Sequence, residues 1–164
     1  MDFKQLVIEK VKNEFGDTIK EITDFRNDLC FTIDKVDILK VTNFLKEDET
    51  LQFNTCKDIT AIDWATRKKR FTVVYQIYSY KNNFPLRIKA IIENEPYEIE
   101  SVTAIWAGAN WYERETFDMY GIVFLNHPDL RRMYMPEGFQ YHPLRKDFPV
   151  LGIPGSLPLP NKTD

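Results

Sequence analysis

Glycine, cysteine and histidine are scarce in this chain of 164 residues, which has six glycines, two cysteines and two histidines. The glycines are too dispersed for the common glycine-rich phosphate loops. Cys30 and Cys56 alone are too few for a zinc or iron–sulfur site built from this chain. Both lie in apolar, strand-like sequence, which predicts buried, reduced thiols. A nucleotide cradle and a chain-borne metal cluster are therefore disfavoured.

Strong net charge and long apolar runs are also missing. The net charge of -3 provides no field that would attract nucleic acid or anionic lipid. No apolar run reaches the roughly 18 residues that a membrane span requires. The start, "MDFKQLVIEKVKNEF", is typical of an amphipathic helix rather than a secretory signal. We therefore expect one folded unit without a membrane span that stays in the cytoplasm.

The first part of the chain predicts a helix followed by two strands. Asp2 is placed to cap the helix with Gln5 as its partner, and Gly16 is placed to end it. Apolar residues share one helical face: Leu6, Val7, Val11 and Phe15. The strands are predicted at residues 18–23 and 29–33, with a turn at Arg26, Asn27 and Asp28.

A second helix and three further strands are predicted next. Asp34 is placed to cap the helix, whose apolar face carries Ile38, Val41 and Leu45. The strands fall in segments 51–64, 71–80 and 86–92, and their short polar connections favour an antiparallel meander. The basic cluster at residues 67–70 is interpreted as a solvated turn, with a nucleic-acid-binding patch as the alternative. The predicted fold class is α+β, with a mostly antiparallel sheet packed with helices.

The composition changes in the second half of the chain. Seven of the nine prolines lie from Pro128 onward, and arginine replaces lysine as the main basic residue. Arginine forms bidentate contacts and is enriched at protein interfaces. A third helix is predicted at about residues 109–120, with Gly121 in the left-handed position that ends it. Large apolar side chains surround this helix, so one sheet face cannot bury them all: Trp111, Tyr112, Phe117, Met119 and Tyr120.

These features predict two parts, an α+β domain at residues 1–121 and an extended C-terminal segment at residues 122–164. The prolines of the second part exclude a long helix, and its aromatic residues are unusual for a free disordered tail. We call residues 122–164 the strap and expect it to order on a partner protein. Within the third helix, Arg114 and Asp118 are four residues apart and spaced to pair.

An active site in this region is the alternative to a docking segment. His127 and His142 each precede a proline, and carboxylates lie nearby in sequence: Glu113, Glu115, Asp118 and Asp147. Such groups could hold a metal or exchange protons. The spacing matches no helical ligand pair, and proline keeps both histidines out of helical geometry. A stand-alone metal-dependent enzyme using the two histidines therefore stays the less favoured hypothesis.

One long irregular stretch resembles a known family. The segment "WYERETFDMYGIVFLNHPDLRRMYMPEGFQYHPLRKDFPV", residues 111–150, is similar to the signature of the 30-kilodalton subunit, also called the C subunit, of respiratory NADH:quinone oxidoreductase, or complex I. The matching elements are the helix "ERETFDMYGI", the turn "HPDLRR" and the closing "HPLRKDFP". The preceding "SVTAIWAGAN" and the α+β layout also fit, so the resemblance extends over most of the chain.

The resemblance implies a non-catalytic, cofactor-free scaffold in the hydrophilic arm of a proton-translocating enzyme. That enzyme transfers electrons from NADH through FMN and iron–sulfur clusters to quinone. The strap would bind the subunit that carries the quinone site, the D subunit, next to iron–sulfur subunits. The chain would lie peripherally on the cytoplasmic side of the inner membrane. The equivalent subunit of a related membrane-bound hydrogenase complex is the alternative within this interpretation.

The resemblance also implies a set of subunit-interface residues in the third helix and the strap. The implied residues are Trp111, Glu113, Arg114, Glu115, Asp118, His127, Pro128, Arg131, Arg132, Pro136, His142, Leu144, Arg145, Lys146 and Asp147. Tyr141 departs from the family pattern, which commonly has glycine before the closing element. A residue with a side chain disfavours positive φ, so the sequence predicts either a different turn or a tyrosine ring in a pocket of its own.

Overall fold

The computed structural model describes residues 2–65 and 68–153. Within these ranges, three helices and seven strands succeed one another. They are α1 (Phe3–Phe15), β1 (Ile19–Phe25), β2 (Asp28–Asp34), α2 (Ile38–Glu47), β3 (Thr55–Asp63), β4 (Phe71–Ser79), β5 (Phe84–Ile92), β6 (Glu98–Glu100), α3 (Ala109–Tyr120) and β7 (Val123–Leu125). Short 3₁₀ turns, Gly16–Thr18 and Lys35–Asp37, precede β1 and α2. No helix in the described ranges is long and apolar enough to cross a membrane.

The main sheet has five strands in the order β1-β2-β5-β4-β3. The pairs β1–β2, β3–β4 and β4–β5 are antiparallel, so both the predicted hairpin and the predicted meander are confirmed. The pair β2–β5 is parallel, because helix α2 separates the hairpin from the meander and β5 returns beside β2. This arrangement confirms the predicted α+β class.

Alternating side chains of the sheet form the core with α1 and α2. Phe31, Tyr75 and Ile88 lie on this face of the central strands and are fully buried. The ring of Phe15 at the end of α1 packs edge-on against Phe44 of α2, with ring centroids 5.2 Å apart. Both helices are thereby fixed against one sheet face, as the apolar patterns predict.

The predictions for the ends of helices and strands are only partly confirmed. Gly16 follows α1 with φ of 49°, and Arg26 and Asn27 take φ of 53° and 68° in the tight β1–β2 turn. The predicted side-chain caps are wrong, because neither Asp2 nor Asp34 makes a capping hydrogen bond. Asp34 instead pairs with Lys20 of β1 at 3.0 Å.

Helix α3 lies along the edge strand β3, where the Thr116 hydroxyl donates to the carbonyl of Ile59 at 2.9 Å. After α3 the chain enters β7, which pairs in parallel with β6 in a small second sheet. Ile122 and Phe124 belong to the same core as the main sheet. The first residues after Gly121 therefore continue the core, and the described strap from residue 126 to 153 contains neither helix nor strand.

Candidate docking surface on helix α3 and the strap

The end of α3 is covered by the strap. Gly121 takes φ of 71° and ψ of 28°, the left-handed conformation predicted for it. The last turn of a helix leaves carbonyl groups without helical partners. Here the amide of Leu144 donates to the carbonyl of Met119 at 3.1 Å, and the Arg145 guanidinium donates to the carbonyl of Tyr120. The strap thus donates hydrogen bonds to two carbonyl groups in the last turn of α3.

Asp118 attaches an earlier part of the strap to the same helix. Its buried carboxylate accepts backbone N–H groups from Met133, Tyr134 and Met135 at 3.0, 2.7 and 3.0 Å. The guanidinium of Arg132 donates to its other oxygen at 2.6 Å. Burial alone would raise the pKa of this carboxyl, but the three N–H donors and Arg132 hold it below its usual range. One charged side chain therefore organises four consecutive strap residues.

The predicted pair between Arg114 and Asp118 does not form. Arg114 instead donates to the backbone carbonyl groups of Arg131 and Arg132 at 3.1 and 3.4 Å, and its guanidinium lies over the ring of Trp111. Asp118 is already satisfied by the strap, and charge-assisted bonds to several buried donors are stronger than an exposed pair. Both members of the predicted pair hold the strap.

Glu113, in the N-terminal half of α3, is fully buried. One carboxylate oxygen accepts from the hydroxyl of Ser101 at 2.6 Å, and the other accepts from the amide of Val102 at 2.7 Å. The ring of His127, whose side chain is also inaccessible, lies 3.9 Å from the carboxylate. Burial raises the pKa of Glu113 to about 7, despite these two donors.

The two histidines lie apart and bind backbone groups. The ring of His127 accepts the amide of Asp129 at 3.0 Å, which leaves its other nitrogen to donate to the carbonyl of Asn110 at 3.2 Å. His142 lies 3.0 Å from the carbonyl of Asp118. The two helix carbonyls are eight residues apart, or roughly 12 Å along α3. Burial lowers the pKa of both imidazoles, and the described ranges contain no cluster of three potential metal ligands.

The connection between β3 and β4 holds the final part of the described strap. Arg70 donates to Asp63 at 3.1 and 3.0 Å and to Asp147 at 2.7 Å. Asp63 also accepts the amide of Lys146 at 2.8 Å. The interpretation of the basic cluster as a solvated turn is therefore wrong for Arg70, whose side chain is mostly covered. Thr66 and Arg67 lie outside the described residues.

Tyr141 avoids positive φ, but its ring does not lie in a pocket of its own. The centroid of its ring lies 5.6 Å from that of Phe139 and 6.4 Å from that of Phe148. Phe139 is buried, whereas Tyr141 keeps 42% of its surface exposed. The tyrosine therefore fills an aromatic cluster of the strap without needing the glycine conformation.

The predicted interface residues divide into anchors, whose side chains are buried or partly buried, and residues that are exposed. The anchors, which make the contacts within the chain described above, include Glu113, Asp118, His127, Arg132, His142 and Arg145. The exposed members are Trp111, Glu115, Pro128, Arg131, Pro136, Leu144, Lys146 and Asp147. Exposed apolar residues of the described strap outside the predicted set are Val123, Tyr134, Tyr141, Val150 and Leu151. The sequence could have indicated these residues, because they are apolar side chains in or beside a proline-rich segment.

An α+β domain with a C-terminal segment folded across its third helix is the class of protein that this structure defines. The family model described as respiratory-chain NADH dehydrogenase, 30 Kd subunit, matches residues 31–153. The C subunit of NADH-quinone oxidoreductase from Geobacter metallireducens is 41% identical over 150 residues, which cover 91% of each chain. A C subunit numbered 2 from Rhizobium etli is 44% identical over 90% of this chain and 78% of the relative. The chain belongs to the 30-kilodalton subunit family of respiratory NADH dehydrogenase, as the signature in residues 111–150 predicts.

Two solved structures share the fold of this chain. A trypsin-resistant fragment of Nqo5 superposes with a TM-score of 0.63 at 26% identity, covering 79% of this chain and all of that fragment. A chain of the membrane-bound sulfane sulfur reductase, an archaeal respiratory membrane complex, superposes with a TM-score of 0.77 over 90% of this chain and 86% of its own. That chain is only 22% identical, so the likeness shows the shared fold alone.

Proposed function

We propose that this chain is a cofactor-free scaffold subunit in the hydrophilic arm of a proton-translocating NADH:quinone oxidoreductase. In this proposal FMN, the iron–sulfur clusters and the quinone site belong to other subunits, and this chain supplies no catalytic residue. It lies peripherally on the cytoplasmic side of the inner membrane as part of the complex. The 41% and 44% identity to two NADH-quinone oxidoreductase relatives over most of the chain supports the assignment.

The observation that carries the scaffold role is the distribution of exposed apolar side chains. Seven of the twelve large apolar side chains that are exposed in the described ranges lie on α3, β7 or the strap. They are Trp111, Val123, Tyr134, Tyr141, Leu144, Val150 and Leu151. Exposed apolar residues that gather in one region mark interaction sites, and aromatic residues are enriched at protein interfaces. This surface fits a partner protein better than a small substrate.

The partner in this proposal is the quinone-site subunit, with iron–sulfur subunits adjacent. The anchors hold the strap against its own domain, so in this proposal the exposed apolar side chains contact the partner. Trp111 is 60% exposed, Tyr134 is 59% exposed and Leu144 is 51% exposed. Aromatic residues of this kind often contribute most of the binding energy at the centre of an interface.

The test compares two triple variants of the tagged full chain, each purified from its native membranes. The docking variant is Trp111→Ala with Tyr134→Ala and Leu144→Ala. The control variant is Phe25→Ala with Val36→Ala and Tyr80→Ala, three apolar residues outside α3 and the strap that are at least as exposed. We expect the control to retain the quinone-site and iron–sulfur subunits and the docking variant to lose them. Equal retention by both variants would overturn the proposed docking surface.

The identity of the co-purifying proteins separates the two candidate complexes. Recovery of NADH-oxidising subunits supports the proposal, whereas recovery of hydrogenase subunits in their place supports the related hydrogenase complex. The sulfane reductase likeness shows only the fold, so it does not favour a related complex over the main proposal.

A further inference from the structure

The hydroxyl of Tyr75 is the one buried side-chain polar atom in the described ranges that has no hydrogen-bond partner. Tyr75 belongs to the central strand β4 and is fully inaccessible. A buried polar group without a partner destabilises the folded state, because it loses its hydrogen bonds to water. Native proteins rarely keep such groups, and an internal water molecule is a common explanation.

The fold directs this hydroxyl towards the part of α3 that carries Glu113. Tyr75 lies opposite Ile59 in the β3–β4 register, and the carbonyl of Ile59 accepts from Thr116 at 2.9 Å. Glu113 precedes Thr116 by one helical turn, so both side chains leave the same face of α3. Burial raises the pKa of Tyr75, and the negative charge of Glu113 adds to that shift, as expected for neighbouring groups.

Glu113 has acceptor capacity left for such a bond. A carboxylate offers about four acceptor sites, and Ser101 and Val102 fill one on each oxygen. The nearest nitrogen of His127, at 3.9 Å, is too distant for a hydrogen bond and donates to Asn110. The region therefore combines an unused donor on Tyr75 with an unused acceptor on Glu113, and neither side chain is exposed.

We propose that Tyr75 and Glu113 form a binding site for one buried water molecule that joins strand β4 to helix α3. The water accepts a hydrogen bond from the Tyr75 hydroxyl and donates one to the Glu113 carboxylate. The thiol of Cys56 donates to the carbonyl of Asp58 at 3.7 Å, which leaves its sulfur as a weak acceptor for the second water hydrogen. Three partners are the usual number for an internal water. The site fixes the docking helix to the centre of the sheet.

The sign of a stability change tests the proposal. Tyr75→Phe removes only the hydroxyl, so it deprives a bound water of one partner. With the water present, we expect the melting temperature of the full chain to fall by about 2–4 °C. If the hydroxyl has no partner, its removal leaves the melting temperature unchanged or raises it, which would overturn the proposal. The matched control, Tyr80→Phe, alters a ring that is 69% exposed and should leave the temperature unchanged.

A high-resolution crystal structure of the full chain supplies the second measurement. We expect an ordered solvent peak within hydrogen-bonding distance of the Tyr75 hydroxyl and the Glu113 carboxylate, and its loss in Tyr75→Phe. A direct hydrogen bond between the two side chains, or an empty space between them, would refute the water site. Neither result affects the assembly role, which the co-purification experiment tests through exposed residues.

Discussion

Glu113 is an acidic residue of helix α3, which carries both charged and aromatic side chains. The family resemblance implies that it is a subunit-interface residue, but its side chain is buried against the segment that carries Ser101 and Val102. Sequence could not reveal this, because Glu115 on the same helix has the same type and is exposed. The contacts that bury Glu113 come from residues 11 and 12 positions earlier in the chain.

The raised pKa of Glu113 makes stability depend on pH. Its folded pKa is about 7, against an ordinary value of 4.5, so the folded chain retains a proton that the unfolded chain releases between these pH values. The free energy of unfolding therefore falls as pH rises from about 4.5 to 7, by roughly 3 kcal/mol in total. In Glu113→Gln this contribution disappears, so the variant gains stability relative to the native chain as pH rises.

The measurement is urea unfolding of both proteins at several pH values, compared as a difference. His127 and His142 contribute the opposite slope, because their folded pKa values are lowered and their stability contribution is lost as pH falls. Both histidines are present in both proteins, so their contributions largely cancel in the difference. Glu115→Gln is the control and should give a difference that does not change with pH. A pH-independent difference for Glu113→Gln would show that Glu113 titrates normally.

At the scale of elements, the sequence predicted those features that depend on residues close together in the chain. The bounds of α3 and its end at Gly121 follow from one helical segment and one glycine, and the meander follows from short connections. The parallel β2–β5 pair was not predictable, because its partners are joined through a helix and two other strands. The strap contacts were not predictable for a similar reason, since Arg70 and Asp147 are 77 residues apart.

Gly121 is the element end on which the strap contacts depend. An added Cβ would meet the side chains of Arg145 and His142, and the φ of 71° is strained for any residue with a side chain. We expect Gly121→Ala to destabilise the chain by about 1–3 kcal/mol. Because Arg145 and His142 must move, we also expect faster trypsin cleavage after Arg145 and Lys146.

Gly138→Ala is the matched control for this change. Gly138 also lies in the C-terminal part of the chain, but it lacks a positive φ and a Cβ there would meet nothing within 4 Å. It should leave both stability and cleavage close to those of the native chain. Equal cleavage of the two alanine variants would show that the end of α3 does not hold the strap.

At the scale of the whole molecule, the described part of the strap is bound to its own domain at several places along its length. Asp118 holds the residues around Tyr134, the end of α3 holds Leu144, and Asp63 holds Lys146. The sequence predicts a strap that orders on its partner, because proline-rich sequence without regular structure offers no sign of internal contacts. The structure offers a different route, in which the partner meets a surface that already exists and association costs less ordering entropy.

Hydrogen exchange of the isolated full chain distinguishes these routes. If the strap is preformed, the amides of Met133, Tyr134 and Met135 exchange slowly without any partner, because all three donate to the buried carboxylate of Asp118. Asp118→Asn removes the charge that these donors share, so we expect their exchange to accelerate at least tenfold, which corresponds to about 1.4 kcal/mol.

Asp129→Asn is the control for that substitution, because Asp129 pairs with Arg131 in an exposed position and should contribute little to stability. Its variant should keep the slow exchange of the three strap amides. Exchange at the rate of an unfolded peptide in the native isolated chain would mean that the strap orders only on its partner. The docking surface would then be created by binding, and the exposed residues would contribute affinity only after the ordering cost is met.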